Sequence, residues 1–335
     1  MKPPFCTQTF GASNKPKQMK AAVYTQYGRP EVVLIKDILK PSPKDNQVLV
    51  KVKATTVTAG DWRMRAGEPF VIKLYNGIRK PKRTVLGHEF AGVIEAVGKD
   101  VTRFKQGDRI CGAVGSAAGA HAEYVTISES EALTSIPPQV SNEIATALPT
   151  GAMTALHFLQ KAAIKPNDKV LIYGASGSVG TYAIQLAKHF GASVTAVCST
   201  SNLKLVKSLG ADEVLDYTKT DYTKDSNTFD IIFDAVGKAS FSESKKVLNA
   251  QGKFLTVAMD LKLLFQSFQA SLLGGKILIS DIAKQTTENL ELIIRLVEEG
   301  KLKAVIDQIY DLNDIVEAHR HAQTGHKKGN LVITV

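Results

Sequence analysis

The chain has 335 residues, of which 44% are hydrophobic and 22% are charged, a balance that excludes a disordered or fibrous protein. Lysine and arginine outnumber the acidic residues, so the formal net charge is +10, which suits nucleic acid, an anionic membrane surface or an anionic cofactor without choosing among them. At roughly 100–200 residues per domain the length predicts two domains, and no apolar run approaches the roughly 18–20 residues of a membrane span.

The three cysteines, Cys6, Cys111 and Cys198, lie far apart in the sequence. A sparse and odd set argues against a disulfide framework and against a structural zinc lobe, and it indicates a reducing compartment. We therefore expect a cytoplasmic protein.

Residues 1–18 contain Pro3, Pro4, Gly11 and Pro16 and show no periodicity. They have no apolar region of the kind a secretory signal requires. We interpret them as a flexible tail. A transit peptide stays open as the alternative, because acidic residues are absent, although arginine is absent too.

Short strands are predicted from residue 19 to residue 140. The clearest are Ala21–Tyr24, Gln47–Val52, Phe90–Gly98 and Asp108–Gly112, and glycine and proline interrupt the sequence between them. This spacing is typical of a curled antiparallel barrel.

From Ser141 to Gln160 the apolar residues recur at helical spacing, and from Lys169 strands and helices alternate. Predicted strands are 169–173, 193–197, 213–215, 231–234, 253–257 and 276–280, and predicted helices are 179–190, 202–209 and 287–299. Strands separated by helices indicate a parallel sheet built of βαβ units. Two last strands, 305–309 and 331–335, are expected to return to the first domain. The predicted domains are therefore 19–140 with 301–335, and 141–300.

A glycine-rich turn joins the strand Lys169–Tyr173 to the following helix. It reads Gly174-Ala175-Ser176-Gly177-Ser178-Val179-Gly180, in the strand–turn–helix context of a dinucleotide-binding loop. Gly177 lets the backbone approach a pyrophosphate, Gly180 lets the helix pack on the strand, and the helix N-terminus offers free N–H donors. An ordinary glycine turn is the alternative.

The end of the next strand, Ser193–Val197, carries hydroxyls where NAD-specific folds place an acid that binds the ribose. Ser199 and Thr200 follow the strand, and Lys204 comes one turn later. A cation attracts a 2′-phosphate that a carboxylate would repel, so the sequence predicts NADPH rather than NADH. Alternatively, the hydroxyls cap the helix.

Several ordered stretches resemble the medium-chain dehydrogenase/reductase superfamily, in particular its zinc-independent quinone oxidoreductase-like branch. The resemblance covers residues 19–335. Besides the glycine-rich turn, the matching stretches are 85–93 (VLGHEFAGV), 104–109 (FKQGDR), 147–155 (ALPTGAMTA), 209–217 (LGADEVLDY), 229–237 (FDIIFDAVG) and 325–332 (GHKKGNLV).

The resemblance implies an α/β protein with a GroES-like β-barrel catalytic domain and a Rossmann domain, which is a doubly wound parallel sheet, with the nicotinamide in the cleft between them. It also implies a homodimer that pairs the strand 276–280, and reduction of quinones or of the activated C=C bond of enones. The expected cofactor contacts, which include those of the glycine-rich turn, are Thr154, Gly174, Ala175, Ser176, Gly177, Ser178, Val179, Gly180, Ser199, Thr200, Lys204, Tyr217 and Gly237.

Zinc alcohol dehydrogenases of the same superfamily share the motif at His88-Glu89. A catalytic zinc needs three protein ligands, but Thr58 stands where that family has a cysteine and Thr150-Gly151 falls near its third ligand. We therefore expect no metal. His88 and Asp61 are the candidate catalytic residues, as the donor to a carbonyl oxygen and its support. A hydrogen-bonded core histidine and a turn acid are the alternatives.

The leading hypothesis is an NADPH-dependent reductase that transfers hydride to a small hydrophobic electrophile without metal. The second is a zinc-dependent secondary alcohol dehydrogenase that uses His88 and Glu89, and the third is a non-catalytic, NADPH-regulated RNA-binding protein. The basic cluster Arg79–Arg83 lacks interleaved aromatic residues for base stacking, so we expect no nucleic acid and no membrane as partner. The apolar runs 261–265 and 268–273 are predicted to line a pocket, a dimer contact or the core.

Overall fold

A computed structural model of the protein describes residues 17–115, 118–224, 227–258 and 275–335. Most of the predicted tail and both apolar runs, 261–265 and 268–273, lie outside the described residues. Gln18, placed in the tail by the sequence, already belongs to the first strand.

The strands in the described residues are β1 (Gln18–Val23), β2 (Leu34–Leu39), β3 (Gln47–Thr56), β4 (Glu89–Val97), β5 (Arg109–Ala113), β6 (Tyr124–Ser128), β7 (Leu133–Ser135), β8 (Lys169–Tyr173), β9 (Ser193–Cys198), β10 (Glu213–Asp216), β11 (Phe229–Asp234), β12 (Leu248–Thr256), β13 (Ile277–Ser280), β14 (Ile306–Asp311) and β15 (Asn330–Thr334). The helices are α1 (Ala59–Ala66), α2 (Val71–Asn76), α3 (Asn142–Thr146), α4 (Pro149–Lys161), α5 (Ser178–His189), α6 (Leu203–Ser208), α7 (Phe241–Ser244), α8 (Thr287–Glu298) and α9 (Ile315–Gln323). None of the helices described is long and apolar enough to cross a membrane.

A seven-stranded sheet forms the GroES-like part. Its strands lie in the order β14-β15-β3-β4-β5-β7, and β6 also pairs with β3. The pairing is antiparallel except between β14 and β15. The prediction that the last strands return to the first domain is confirmed, since Val332 of β15 lies opposite Thr56 of β3.

A six-stranded parallel sheet in the order β10-β9-β8-β11-β12-β13 forms the Rossmann-like part. The strand order reverses beside β8, because the chain goes from β8 to β9 on one side and later to β11 on the other. Such a switch point places the carboxyl ends of neighbouring strands around a ligand crevice. The predicted α/β fold class is confirmed, and the exact domain boundaries at residues 140 and 300 stay a prediction.

The sequence analysis missed helices and shifted several boundaries. It read residues 19–140 as strands alone, but α1 and α2 lie within that range. Both are short, so they show too few turns for a clear apolar period. The helical spacing found over 141–160 belongs to two helices, since α3 ends before Pro149, which occupies the first turn of α4.

The remaining differences concern strand and helix ends. β3 continues four residues beyond the predicted end, and β12 begins five residues before its predicted start. The sequence also missed α9, which packs between the last two strands and α1. The ends of β3 and β12 depend on pairing with strands that are distant in sequence, and the local residue pattern does not show that pairing.

Hydrogen bonds join the two parts of the chain beside the crevice. The amide of Gly329, just before β15, donates to the Ser176 carbonyl at 2.8 Å, and the Thr150 amide at the start of α4 donates to the Glu89 carboxylate at 2.6 Å. The chain segment that leads into β15 therefore lies directly on the glycine-rich turn.

Candidate active site

Packing leaves no room for a side chain at two glycines of the glycine-rich turn, Gly174 and Gly180, but leaves room at the third, Gly177. Gly174 has φ +77°, and a Cβ there would lie 2.5 Å from Cγ1 of Val236. A Cβ on Gly180 would lie 2.7 Å from Cα of Ala175 and still nearer to the Gly174 carbonyl. A Cβ on Gly177 would meet its nearest neighbour only at 3.5 Å. The space beside the Gly177 backbone, at the N-terminus of α5, is thus open, and a pyrophosphate fits there.

This difference predicts opposite behaviour for two alanine variants. Gly177→Ala is expected to weaken NADPH binding about tenfold or more, because its methyl would fill the space beside the pyrophosphate, while stability changes by less than about 1 kcal/mol. Gly180→Ala is expected to lower the free energy of unfolding by about 1–3 kcal/mol, because the backbone itself must shift. Fluorescence titration with NADPH and denaturant unfolding measure the two effects. Equal loss of stability in both variants would contradict this assignment.

Side chains from outside the turn hold it in place. Asn202 donates to Oγ of Ser176 at 3.0 Å, and Oγ of Ser178 donates to the Asn330 side chain at 2.6 Å. Oδ1 of Asn202 is buried and has no partner among the described residues. The sequence analysis missed Asn202 and Asn330, since nothing in the local pattern shows that they meet the turn.

Lys327 is a further residue that the sequence did not single out. It follows α9, and its Nζ donates to the Gly329 carbonyl at 2.5 Å, next to the turn. Burial lowers the pKa of Lys327 to about 8, although Glu89 and Asp307 oppose that shift. A partly buried amine at this position adds positive charge where an anionic cofactor would bind.

The sequence predicted that no carboxylate lies at the end of β9, but the structure places that of Asp216 there. The hydroxyl of Thr200 donates to the carboxylate of Asp216, at the end of neighbouring β10, and Thr218 donates to the same group at 2.7 Å. In this structure the Thr200 hydroxyl is directed at Asp216, and its contact with the cofactor stays a prediction. Lys204 is exposed on α6 and Tyr217 is 48% exposed, so both predicted contacts are accessible to a cofactor.

The loop after β11 carries Gly237, another predicted contact. The Asp234 carboxylate accepts hydrogen bonds from the amides of Gly237 at 2.9 Å and Ala239 at 3.0 Å. Gly237 has φ +73°, a conformation that favours glycine. Thr154, also a predicted contact, lies half-buried on α4. The sequence analysis missed Asp234, which fixes this loop at the carboxyl edge of the sheet.

Asp61 and His88 meet at the edge of the seven-stranded sheet. Asp61 lies in the first turn of α1 and accepts hydrogen bonds from the Thr58 amide at 2.8 Å and the Gly87 amide at 2.9 Å. Nδ1 of His88 lies 2.7 Å from Oδ1 of the same carboxylate. Asp61 is wholly buried, whereas the His88 side chain is 19% exposed. The fold thus brings together the two residues that the sequence proposed as catalytic.

The charges of this pair stabilise each other. Burial alone would raise the pKa of the Asp61 carboxyl, but the His88 charge and the hydrogen bonds hold that pKa far below its usual range. Burial alone would lower the pKa of His88, but the Asp61 charge and hydrogen bond outweigh it and raise that pKa. The proton therefore stays on His88. Nε2 of His88 has no hydrogen-bond partner in the described part of the chain and remains available to a ligand.

Glu89, beside His88, is fully engaged. One carboxylate oxygen accepts from the hydroxyl of Thr56 and the other from the amide of Thr150. Burial raises the pKa of Glu89, which the hydrogen bonds from Thr56 and Thr150 oppose. Glu89 thus links the seven-stranded sheet to the start of α4, and each of its carboxylate oxygens accepts a hydrogen bond.

The residues around His88 do not fit a catalytic zinc. The carboxylate oxygens of Asp61 and Glu89 accept the hydrogen bonds described above. Thr58, at the position of the zinc-ligand cysteine, has no thiol, and its hydroxyl donates to Asp61. Within the described residues no group of three His, Cys, Asp or Glu side chains has the geometry of a metal site. Three protein ligands are the minimum for a catalytic zinc.

Comparisons with known proteins agree with this architecture. Residues 44–138 match the family model of the alcohol dehydrogenase GroES-like domain, and residues 209–333 match that of the zinc-binding dehydrogenase. The chain is 33% identical to a 2-methylene-furan-3-one reductase of Solanum lycopersicum, over 95% of this chain and 79% of that protein.

Two further relatives are similar along nearly the whole chain. A chloroplastic NADPH-dependent alkenal/one oxidoreductase of Arabidopsis thaliana is 31% identical over 95% of this chain and 80% of its own. The solved structure of the quinone oxidoreductase from Coxiella burnetii superposes with a TM-score of 0.88, at 32% identity, over 95% of this chain and all of that chain.

Proposed function

Because the chain belongs to the medium-chain dehydrogenase/reductase superfamily, whose oxidoreductases use a nicotinamide cofactor, we propose that it reduces quinones or the activated C=C bond of enones with NADPH and without metal. The observation that carries the proposal is the Asp61–His88 pair, in which Nδ1 of the imidazole contacts the buried carboxylate and the His88 side chain stays 19% exposed. A proton donor held by a buried carboxylate suits the carbonyl oxygen of such an acceptor.

A reduced nicotinamide, when bound, supplies a hydride to the electron-poor carbon of the acceptor. The residues of the glycine-rich turn, with Lys327 and Asn202, fit the phosphates and sugars of that cofactor. His88 donates a hydrogen bond from Nε2 to the acceptor oxygen, where negative charge develops. Asp61 fixes the ring and stabilises its positive charge, so that the donor is in place before the reaction.

The proton balance follows from this arrangement. An enone gains hydride at its β-carbon and a proton at its α-carbon or oxygen, while a quinone gains one hydride and one proton and becomes a hydroquinone. Turnover of an enone with NADPH deuterated at the nicotinamide C4 tests this account. We expect deuterium at the β-carbon of the product and solvent hydrogen at the α-carbon. Deuterium at the carbonyl carbon would mean carbonyl reduction and would favour the alcohol dehydrogenase alternative.

NADPH is proposed over NADH because Lys204 is exposed beyond the end of β9 and no hydrogen bond engages its amine in the described structure. Lys204→Ala is expected to lower kcat/KM for NADPH about 10-fold or more, through loss of a charged contact to the 2′-phosphate, and to leave the value for NADH unchanged. Lys207→Ala on the same helix is the matched control, since that lysine donates to the Asp212 carbonyl. Parallel losses with both cofactors would contradict the assignment.

The raised pKa of His88 gives the pH dependence its direction. The donor form exists below that pKa, which lies above the usual value of about 6.5. We expect kcat/KM to stay level through that ordinary value and to fall as the pH rises through the raised pKa. The alkaline limb should disappear in His88→Asn. A profile that falls toward acid instead would mean that a deprotonated group does the work.

The proposal also includes the assembly and the compartment. β13 stands last in the strand order of the parallel sheet, next to β12, and Ile277 at its start is 44% exposed. Pairing of β13 with its copy would give the expected homodimer. Cys111 and Cys198 are buried free thiols, which suits the proposed cytoplasmic location.

A further inference from the structure

Five large apolar side chains lie outward on one short stretch of the surface. Phe70, Val71, Leu74, Tyr75 and Ile78, on and around α2, are each 54–62% exposed. Single exposed apolar residues are ordinary, but a contiguous group marks an interaction site.

Hydrogen bonds hold the opposite side of α2 and the residues after it against the domain, so the apolar side chains stay exposed to solvent. Asn76 is buried and donates to the Tyr24 hydroxyl at 2.9 Å, and its own oxygen accepts from the Arg83 amide at 3.2 Å. The Tyr27 hydroxyl donates to the Gly77 carbonyl at 2.7 Å.

Four cations continue the apolar group along the chain: Arg79, Lys80, Lys82 and Arg83. None of them forms an ion pair with a carboxylate in the ranges that the structure describes. The Arg83 guanidinium lies 4.7 Å from the centre of the Tyr75 ring, which joins the charged and apolar parts. We call these nine residues the 70–83 surface.

The helix α2, which carries part of the 70–83 surface, packs against α1, the helix that carries Asp61. Arg83 is five residues before His88, and its positive charge is among the influences that lower the pKa of His88. The 70–83 surface therefore lies in the neighbourhood of the Asp61–His88 pair.

Unpaired cations beside exposed apolar side chains require a partner that is both anionic and apolar. A second copy that met this surface with its own 70–83 surface would set the same four cations against one another, and RNA would leave the aliphatic side chains in water. An anionic bilayer satisfies both, since apolar side chains enter the boundary of the acyl chains while lysine and arginine contact lipid phosphates and carboxylates.

We propose that the 70–83 surface docks the protein on an anionic lipid bilayer. This goes beyond the proposed reductase activity and departs from the expectation, drawn from the sequence, that no membrane takes part. Apolar burial and charge act together here, as stable peripheral binding requires.

Vesicle co-sedimentation of the full chain tests the proposal without any turnover. The probes are phosphatidylcholine vesicles with and without phosphatidylserine, at low and at high salt. We expect binding only to the vesicles with phosphatidylserine, weakened by salt. K80Q/K82Q should lower the partition coefficient about 25-fold, at about fivefold for each cation removed, and F70S/L74S/I78S should abolish binding at high salt.

Matched controls change exposed residues elsewhere. L34S/L39S removes two exposed leucines of β2, K36Q/K105Q removes two exposed lysines, and K2Q/K15Q reduces the charge of the N-terminal segment. All three should bind as the wild type does. The proposal is overturned if the wild type ignores phosphatidylserine, or if a control loses binding as K80Q/K82Q does. It is also overturned if the F70S/L74S/I78S variant has half the molecular mass of the wild type in solution, because the surface would then be a contact between two copies of the chain.

Discussion

Replacing His88 with asparagine is expected to lower kcat for an enone acceptor by about 100-fold, while the dissociation constant of NADPH stays the same. Nδ1 of His88 is engaged by Asp61, which leaves Nε2 of the 19% exposed side chain as the proposed proton donor, and general acids contribute roughly 10²–10⁴-fold to rates. Asparagine keeps polarity and can still hydrogen-bond Asp61, but it cannot donate the proton. Stopped-flow measurement of NADPH oxidation under single-turnover conditions separates this step from product release.

His189→Asn is the control for the first prediction, since His189 is exposed at the C-terminal end of α5, the end opposite the glycine-rich turn. It should retain wild-type turnover. If His88→Asn also keeps the wild-type rate while it remains folded, His88 acts as a structural residue and the donor must be sought elsewhere.

Replacing Asp61 with alanine is expected to lower the free energy of unfolding by about 3–5 kcal/mol. The change would leave the amides of Thr58 and Gly87 without their acceptor and would remove the counter-charge of His88, all around a fully buried position. Because the folded pKa of Asp61 is depressed, its stabilising contribution is present above the unfolded pKa of about 3.9 and is lost as the pH falls toward the folded pKa. Denaturant unfolding at neutral pH measures the difference.

Two variants bracket this second prediction. Asp61→Asn keeps an acceptor for the amides and should recover part of the lost stability, but the pKa of His88 should fall because the negative charge is gone. Asp221→Ala removes an exposed carboxylate that accepts from the Thr223 amide at 3.0 Å, and it should cost less than about 1 kcal/mol. A loss for Asp61→Ala no larger than that of Asp221→Ala would contradict the assigned role.

The glycine-rich turn was predictable from sequence because its chemistry is local. A strand, three glycines and a helix follow one another within residues 169–189, and the alternation of strands and helices after it identifies a parallel sheet. The partners of this turn were not predictable. Asn202 is 26 residues from Ser176, and Gly329 is more than 150 residues away, and such contacts depend on the closed fold.

The candidate catalytic pair shows the same division. His88 and Asp61 were each identified by a motif, yet their 2.7 Å contact spans 27 residues and needs β4 and α1 to meet. The interaction of Thr200 with Asp216 was missed for the same reason, because the two residues end neighbouring strands. The exposed apolar side of α2 could not be found from pattern either, since apolar periodicity ordinarily predicts burial.

The most direct test of the account is oxidation of NADPH by the purified protein with quinones and enones as acceptors, after dialysis against a metal chelator. Our account predicts turnover of at least one of these acceptors that the chelator does not change, and that NADH supports less well. Activity that disappears with the chelator and returns with zinc alone would contradict it, and so would the absence of NADPH oxidation with every quinone and enone while NADPH still binds.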